Sequence, residues 1–537
     1  MSVVKTSAQI EDLPDEVLEF ILSLIPPYKD LHDCMQVSKR WRRCVLNVAK
    51  TKLRNLHKAI VDFDIRWYTL TPVEMAPTIS KRYSHTAAIH ENSMYVFGGC
   101  TCSMTTFNDL WRLDLSKRQW VRPLAMGTYP SPKACSSLVC YKDLLVLFGG
   151  WAYPPSYPLY QSWHLFNELH IYDITANRWT CVNTTNTPPP TAGHSVSVVG
   201  EWMIVFGGIH KPSTAVHCEK SNDIWKLNLE TWTWYRQEVE GEPRPNGRLG
   251  QTQVVLDNKN LLIIGGSGGP TLNYYDAWIL NMEGAVWKWK QVDIEGKANK
   301  PNNIWTNPGC KIGDKIVMLN RIREDQTCPV VYYPKNWANR RSPQEDSKLA
   351  RIDLASREPD RDENVNGRRG VLRNQKREAD DDDDVYQQPG CSNNQRGDIL
   401  INNWSPPINN LAAFSVPNNK MSKSDRIREQ RLARLSEIKE NMKKYKKEEK
   451  NRNHYLGIYV LDLSKALSLK PFVTWLPPKN LGNGPEETIL YTLLAGKSEL
   501  VMFGGIRKDP TSLGFSVNFN SQISNSLHFI SAPNYVI

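Results

Sequence analysis

Short apolar runs that end in two glycines recur along the chain and set its pattern. They are MYVFGG (94–99), LLVLFGG (144–150), MIVFGG (203–208), LLIIGG (261–266) and LVMFGG (500–505). A stretch that alternates apolar and polar residues precedes each run, as in HSVSVV at 194–199. Runs of this length and period-two character predict pairs of short β-strands.

A second phrase follows most of the glycine pairs, in the order FNDLWRLDL (107–115), FNELHIYDI (166–174), SNDIWKLNL (221–229) and YYDAWILNM (274–282). A tryptophan stands twelve residues after the second residue of each phrase. These residues are Trp120, Trp179, Trp234 and Trp287. The repeated unit is therefore predicted to be four short antiparallel strands.

A sheet this small has exposed edges and little core, whereas a radial stack of such sheets buries both faces of each. The pattern therefore predicts a mainly β fold, a six-bladed propeller. A fifth unit is degraded, since Asn320-Arg321 stands where two glycines are expected. The sixth unit lacks a fourth strand, which we expect the N-terminal stretch 65–72 to supply.

The first fifty residues follow a helical pattern instead. Apolar residues recur at Val17, Leu18, Ile21 and Leu22, and Pro26-Pro27 ends this segment. A second helical segment follows. About forty residues cannot bury so many apolar side chains alone. Either these helices dock on the rest of the chain, or their apolar face binds a partner.

This segment resembles the F-box in its pattern L-P-x-E-[VI]-L-x-x-I-L followed by C-x-x-V-S-x-x-W, and the repeats resemble Kelch repeats. Among F-box/Kelch proteins the chain is similar to the F-box only protein 42 subgroup, through FNDLWRLDL, YPSPKA and YKDLLVLFGGW. The resemblance implies that the F-box binds the Skp adaptor. The residues it assigns to this contact are Leu13, Pro14, Val17, Ile21, Leu22, Val37 and Trp41.

The resemblance also implies a function: the non-catalytic substrate-recognition subunit of a Skp–cullin–F-box ubiquitin ligase. Cullin and RING subunits would join through the adaptor, and the Kelch propeller would bind the protein to be ubiquitinated. Two other classes stay open. One is a cytoskeletal or scaffolding Kelch protein without ligase coupling, and the other is an RNA-binding protein acting through a basic helix near 422–452.

The loops after each glycine pair and before each first strand are expected on one face, which we predict to bind substrate. Its candidate residues are Arg82, Tyr83, Thr101, Lys133, Trp151, His210, Arg248, Ser267 and Trp305. The three basic residues predict a partly basic face that suits an acidic or phosphorylated peptide. The loop 151–166 is rich in aromatic residues, which either bind substrate or pack on the blade top.

The distribution of charged residues distinguishes one segment from the rest of the chain. The net charge is +11, and residues 322–453 hold most of the charge runs. We expect this insert in blade five to be mostly disordered, with a charged helix near 422–450. The predicted domains are an F-box at 9–56, propeller at 62–321, the insert, and the rest of the propeller at 454–537.

Motifs for catalysis or cofactor binding are sparse. GGSGGP (265–270) ends a strand and opens no helix, so a dinucleotide site is disfavoured. Cys100 and Cys102 supply too few ligands for zinc. His85 and His194 occupy equivalent repeat positions, which favours a structural role. We expect no metal, no cofactor and no nucleic-acid partner. Because the sequence shows no apolar leader and no apolar run long enough to span a membrane, we also expect no membrane partner and a cytoplasmic or nuclear location.

Overall fold

The computed structural model describes residues 10–71, 76–101, 105–153, 164–212, 218–269, 272–302, 304–305, 307–321, 455–479, 484–507 and 522–533. These residues fall within one compact unit. The predicted insert at 322–453, with its helix near 422–450, lies outside the described residues. So does most of the aromatic loop, at 154–163.

Three α-helices form the N-terminal module: α1 (Asp15–Ser23), α2 (Lys29–Asp33) and α3 (Lys39–Asp62). Short 3-10 turns lie at Ile10–Asp12, Cys34–Gln36 and Lys297–Asn299. Helix α3 begins at Lys39 because the Ser38 hydroxyl accepts the N–H of Trp41 at 3.2 Å. In the described part of the chain, no helix has the length and apolar character needed to cross a bilayer.

Helix α3 does not end at the predicted domain boundary, residue 56. It continues to Asp62, and its last turns bury Leu56 and Ile60 among strands of the propeller. Its first half packs instead on Leu18 and Leu22 in the small core of the N-terminal module. One helix therefore belongs to two cores.

The described strands of the ring form six four-stranded antiparallel units, which we number as blades one to six. Parallel pairing of Asp293–Glu295 with Phe472–Thr474 joins blades four and five in one sheet. Blades one to three comprise Thr86–His90, Ser93–Phe97, Leu110–Asp114 and Gln119–Val121; Ser137–Tyr141, Leu144–Phe148, Leu169–Asp173 and Arg178–Val182; and Ser195–Val199, Trp202–Phe206, Ile224–Asn228 and Thr233–Arg236. Blades four to six comprise Thr252–Val255, Asn260–Ile264, Ala277–Asn281 and Lys288–Glu295; Gly309–Ile312, Lys315–Arg321, Leu456–Asp462 and Phe472–Trp475; and Thr492–Ala495, Glu499–Phe503, Leu527–Ser531 and Arg66–Leu70.

The N-terminal strand completes blade six, as the sequence predicts. Arg66–Leu70 pairs antiparallel with Leu527–Ser531, in a register that sets Arg66 opposite Ser531. The first strands of the six blades neighbour one another in a closed circle. Pairing the first and last strands of the propeller in one sheet removes the open blade edge that would otherwise be exposed.

Short extra strands lie in the loops that follow the glycine pairs and in the segments that precede the first strands. They are Trp151–Ala152 with His164–Leu165, Thr191–Ala192 with Ile209–His210 and Glu219–Lys220, Ser267–Gly269 with Leu272–Asn273, and Thr488–Ile489 with Ile506–Arg507; Met126–Gly127 extends blade two. We call this end of the propeller the loop face. The opposite end, with the tight turns between first and second strands, is the turn face.

Tryptophans fill the space between neighbouring blades, which explains their recurrence. Trp179 packs edge-on to Phe97 of the preceding blade at 5.5 Å between ring centroids, and both rings are buried. In blade four the equivalent residue is Trp289, which packs on Phe206 at 5.2 Å. The regular spacing points to Trp287 instead, but the turn between the last two strands is longer in this blade.

The glycine pairs let neighbouring blades approach each other. Gly149 has a φ of +67°, and a Cβ there would lie 2.7 Å from the His194 ring of the next blade. Gly504 has a φ of +68° and the same relation to His85. Both the left-handed backbone and the closeness of the imidazole therefore exclude a larger residue. The recurring glycines serve the architecture.

Blade five departs from this rule at Asn320-Arg321. Its second and third strands pair for two residues beyond the usual turn, with Asn320 opposite Gly457 and Arg321 opposite Leu456. The ladder therefore holds the two chain ends that lead into the insert side by side. Both ends lie on the loop face.

Candidate functional site

Two of the predicted substrate-face residues, Arg82 and Arg248, are completely buried. Arg82 donates to both carboxylate oxygens of Asp109 at 2.7 and 3.0 Å, and Arg248 does the same to Asp276 at 2.6 and 2.9 Å. Each guanidinium also donates to the carbonyl of the first glycine of its own blade at 3.0 Å. The prediction that they contact substrate is wrong, because neither side chain has exposed surface.

Lys133 holds the equivalent place in blade two and is also buried. Its Nζ lies 2.7 Å from Glu168 Oε2 and 4.4 Å from the centroid of the Phe166 ring. Burial alone would raise the pKa of Glu168, but the hydrogen bond and charge of Lys133 outweigh it and hold that pKa below its ordinary value. Burial and pairing thus remove all three predicted cations from the loop face, so these residues do not make that face basic.

The other predicted residues of this face differ in exposure. Ser267 is buried, with its hydroxyl donating to the Gly269 carbonyl at 2.7 Å, so it does not reach the surface. The residues that stay partly exposed are Tyr83, Thr101, Trp151, His210 and Trp305. The Nδ1 atom of His210 is buried without a hydrogen-bond partner among the described residues.

Three aromatic side chains meet where blades one and two adjoin on the loop face. Tyr153 lies edge-on to Trp151, with 4.4 Å between ring centroids. Tyr83 lies near Tyr153, and burial, followed by the nearby Cys100 and Tyr153, raises the pKa of Tyr83. We call Tyr83, Trp151 and Tyr153 the aromatic cluster. Partly exposed rings with polar ends are suited to protein contacts. Sequence reasoning missed Tyr153, although it stands in the predicted aromatic loop.

Helix α1 has apolar residues on two neighbouring sides. Leu18 and Leu22 are buried in the core of the N-terminal module. Four others point outward and form what we call the outer stripe of α1. They are Val17, Phe20, Ile21 and Leu24, exposed by 41%, 43%, 37% and 65%. Their spacing of three and four residues places them on one helix face.

This arrangement corrects the predicted adaptor contact in one place. Leu22 is 1% exposed, so it stabilises the module and is not available to a partner. Val37 is 59% exposed and Pro14 is exposed, whereas Leu13 and Trp41 are half-buried. Sequence reasoning missed Phe20 and Leu24, which continue the Val17–Ile21 pattern along the helix.

Two sets of contacts, among others, attach the N-terminal module to the turn face. Tyr28 donates to Glu499 Oε1 at 2.6 Å, and Arg118 donates to both oxygens of the same carboxylate at 2.8 Å. Burial and Glu499 raise the pKa of Tyr28, so the phenol stays protonated. Leu56 and Ile60 of α3 make the second attachment. The outer stripe and the loop face therefore belong to one compact body, with the module at the opposite end from the loops.

His85 and His194 connect neighbouring blades, as their equivalent positions suggest. His85 Nε2 lies 3.0 Å from the Thr492 hydroxyl, and His194 Nε2 lies 2.9 Å from the Ser137 hydroxyl. Gln251 takes this position in blade four and donates to Ser195 Oγ at 2.9 Å. Burial lowers the pKa of His85 to about 3 and that of His194 to about 4. Both imidazoles are therefore neutral and structural.

We expect acid to destabilise the propeller through these two imidazoles. The unfolded chain takes up protons near pH 6.5 while the folded one does not, so stability is full above pH 6.5 and falls as the pH drops toward 4. The loss is about 2 kcal/mol per histidine at pH 5. His85→Gln with His194→Gln should leave stability at pH 8 nearly unchanged and flatten the decline, measured by urea unfolding across pH. An equally steep decline in the double variant would contradict this.

Metal or thiol chemistry finds little support in the part of the chain that the structure describes. In these ranges, no group of three or more His, Cys, Asp or Glu side chains is placed to hold a metal ion. Burial raises the pKa of Cys100 to about 12, so it is a thiol at neutral pH. Cys102 lies outside the described residues.

Two family models match the chain. One, described as F-box-like, covers residues 10–49, and the other, described as FBX42, beta-propeller domain, covers residues 82–289. The chain therefore combines an F-box-like module with a propeller of four-stranded blades. It is similar to F-box proteins with a Kelch-type propeller, and residues 82–289 are similar to the FBX42 propeller.

Curated relatives carry the Kelch repeats. Kelch domain-containing protein 1 of Mus musculus is 30% identical over 236 residues, which cover 40% of this chain and 55% of that protein. Kelch domain-containing protein 3 of Homo sapiens is 25% identical over 269 residues, which cover 48% of this chain and 66% of that protein. The chain spans between half and two thirds of these relatives. The solved structure of YjhT aligns over 84% of this chain and 95% of its own, with a TM-score of 0.43 and 13% identity, a likeness too slight to support a conclusion.

Proposed function

We propose that this chain is the substrate-recognition subunit of a Skp–cullin–F-box ubiquitin ligase. The observation that carries this proposal is the outer stripe of α1. It is a row of exposed apolar side chains on an F-box-like module whose own core is complete without them. Exposed apolar rows on a folded module are expected at protein interfaces.

The adaptor contact is assigned to the outer stripe together with Leu13, Pro14, Val37 and Trp41. Burial of four stripe side chains would remove a continuous apolar face from water, at about 25 cal/mol for each Å². The face is narrow and flanked by charged residues, so the partner needs a matching apolar groove.

The contribution of the chain to ubiquitin transfer is proximity, not chemistry. Holding a substrate on the same body as the adaptor converts the encounter between substrate lysine and charged conjugating enzyme into an intramolecular event. The double attachment at Glu499 and α3 supports this role, because it fixes the module to the turn face while the loop face stays accessible.

Copurification with the Skp adaptor and a cullin tests the proposal. The unaltered chain is expected to retain both proteins, and Leu13→Ala with Pro14→Ala is expected to lose most of them, because these residues extend the apolar surface at the start of α1. The melting temperature of the variant should be unchanged. If the unaltered chain retains neither adaptor nor cullin, a scaffolding Kelch protein is the better description.

The substrate contact is assigned to the aromatic cluster on the loop face. The Leu13→Ala, Pro14→Ala chain serves as bait, since substrates it captures would not be consumed by the ligase. Adding Trp151→Ala and Tyr153→Ala is expected to lower the amount of captured substrate at least about tenfold, the scale of interface aromatic anchors. Tyr235→Ala is the matched control, an aromatic 46% exposed on the outer strand of blade three. An unchanged set of captured proteins would overturn the assignment.

A further inference from the structure

Arg40 reaches from helix α3 back to the segment that precedes α1. Its Nε lies 2.7 Å from Asp15 Oδ1, and its Nη1 donates to the Glu11 carbonyl at 2.7 Å. Its Nη2 donates to the Leu13 carbonyl. One guanidinium thus contacts three residues along a stretch of five.

The carboxylate of Asp15 is shared between two arginines. Arg43 Nη2 lies 2.5 Å from Asp15 Oδ2, on the side not used by Arg40. Hydrogen bonds from Arg40 and then Arg43 hold the pKa of Asp15 below its ordinary value. The planar guanidinium presents its N–H groups in a fixed fork, which a lysine ammonium does not reproduce.

The segment before α1 has few internal means of staying ordered. Pro14 occupies the cap position of α1 and makes no side-chain hydrogen bond to it. The turn Ile10–Asp12 has no buried residue, and the Leu13 amide bonds the Ile10 carbonyl at a long 3.4 Å. The Pro14 carbonyl accepts the amides of Val17 and Leu18 at 3.1 Å, so α1 helps to hold Pro14, whereas contacts from α3 carry much of the order at Leu13.

We infer that Arg40 is a positioning residue for the adaptor surface, holding Leu13 and Pro14 in place beside the outer stripe of α1. This inference rests on the proposed function. A preformed segment binds more tightly because less conformational freedom is lost on association. Arg40 itself need not touch the adaptor.

A positioning role differs from a role in global stability. The side chains of Arg40 and Asp15 are 29% and 37% exposed, and ion pairs so accessible to water add little to the free energy of folding. Local order of a terminal segment can change while the propeller stays folded. Removing the guanidinium should therefore alter binding and local exchange more than melting.

The test measures the affinity of the intact chain for purified Skp adaptor by calorimetry. Arg40→Met, which keeps an apolar stem, is expected to weaken binding about tenfold, equal to about 1.4 kcal/mol. The affinity of the Arg40→Lys chain should fall between those of the unaltered and Arg40→Met chains. The melting temperatures of both variants should stay within about 2 °C of that of the unaltered chain. Arg42→Met is the matched control, an exposed arginine of the same helix outside the described contacts to residues 11–15. Equal affinity of the Arg40→Met and Arg42→Met chains would overturn the inference.

Hydrogen exchange separates this inference from the proposed function. In the Arg40→Met chain the amides of Leu13, Val17 and Leu18 should exchange faster, while those of the propeller strands should not change. This result is expected whether or not adaptor binds. If the unaltered chain fails to bind adaptor, the proposed function fails. If exchange at these amides is unaffected by Arg40→Met, the positioning role fails.

Discussion

Replacing Arg248 with methionine is expected to lower the free energy of unfolding by about 3 kcal/mol, the scale of breaking a buried ion pair. The substitution keeps an apolar stem of similar length but leaves the Asp276 carboxylate without the cation that it faces at 2.6 and 2.9 Å. It also leaves the Gly265 carbonyl without its donor. The loss would fall on blade four, where the arginine joins the start of the first strand to the start of the third.

Urea unfolding measures this loss of stability, and two further variants serve as controls. Arg248→Met with Asp276→Asn is expected to recover much of the loss, because the unpaired charge is removed as well. Lys220→Met, at an exposed lysine on the loop face, should change stability by less than about 0.5 kcal/mol. A single Arg248→Met variant as stable as the unaltered chain would show that the buried pair contributes nothing.

The strands and the ring closure were predictable, but the roles of Arg82, Lys133 and Arg248 were not. They stand 16, 16 and 17 residues before the first glycine of their blades, a position that fits a surface residue and a buried one equally well. The deciding partners lie 27, 35 and 28 residues away, so no local pattern connects them. A signal was present in blade six, where Thr488 replaces the basic residue and Ser526 replaces the acid.

The N-terminal module shows a different limit. Helical periodicity identified α1, but Val17 with Ile21 and Leu18 with Leu22 follow the same spacing on neighbouring sides of the helix. Which pair meets the core depends on where α3 packs, and the local pattern does not contain that information. The end of α3 was missed for a related reason, because its last turns are buried by the propeller and not by the module.

Charge on the outer stripe is expected to abolish adaptor binding. Ile21→Asp with Leu24→Asp places two carboxylates where 37% and 65% exposed apolar side chains would be buried against a partner. Burying an unpaired charge costs several kcal/mol, so affinity should fall more than about 100-fold. Neither residue belongs to the core of the module, so the melting temperature should not change. Leu22→Ala, by contrast, should destabilise the module by about 2–5 kcal/mol.

The proposed function depends most on whether the outer stripe of α1 binds the Skp adaptor. Titration calorimetry of the intact chain with purified adaptor measures this directly, with Leu124→Asp and Leu272→Asp as controls at exposed leucines of the propeller. We expect one adaptor to bind the unaltered and control chains with equal affinity, and no measurable binding to the Ile21→Asp, Leu24→Asp chain. Absence of binding to the unaltered chain, or full binding to the stripe variant, would contradict the account.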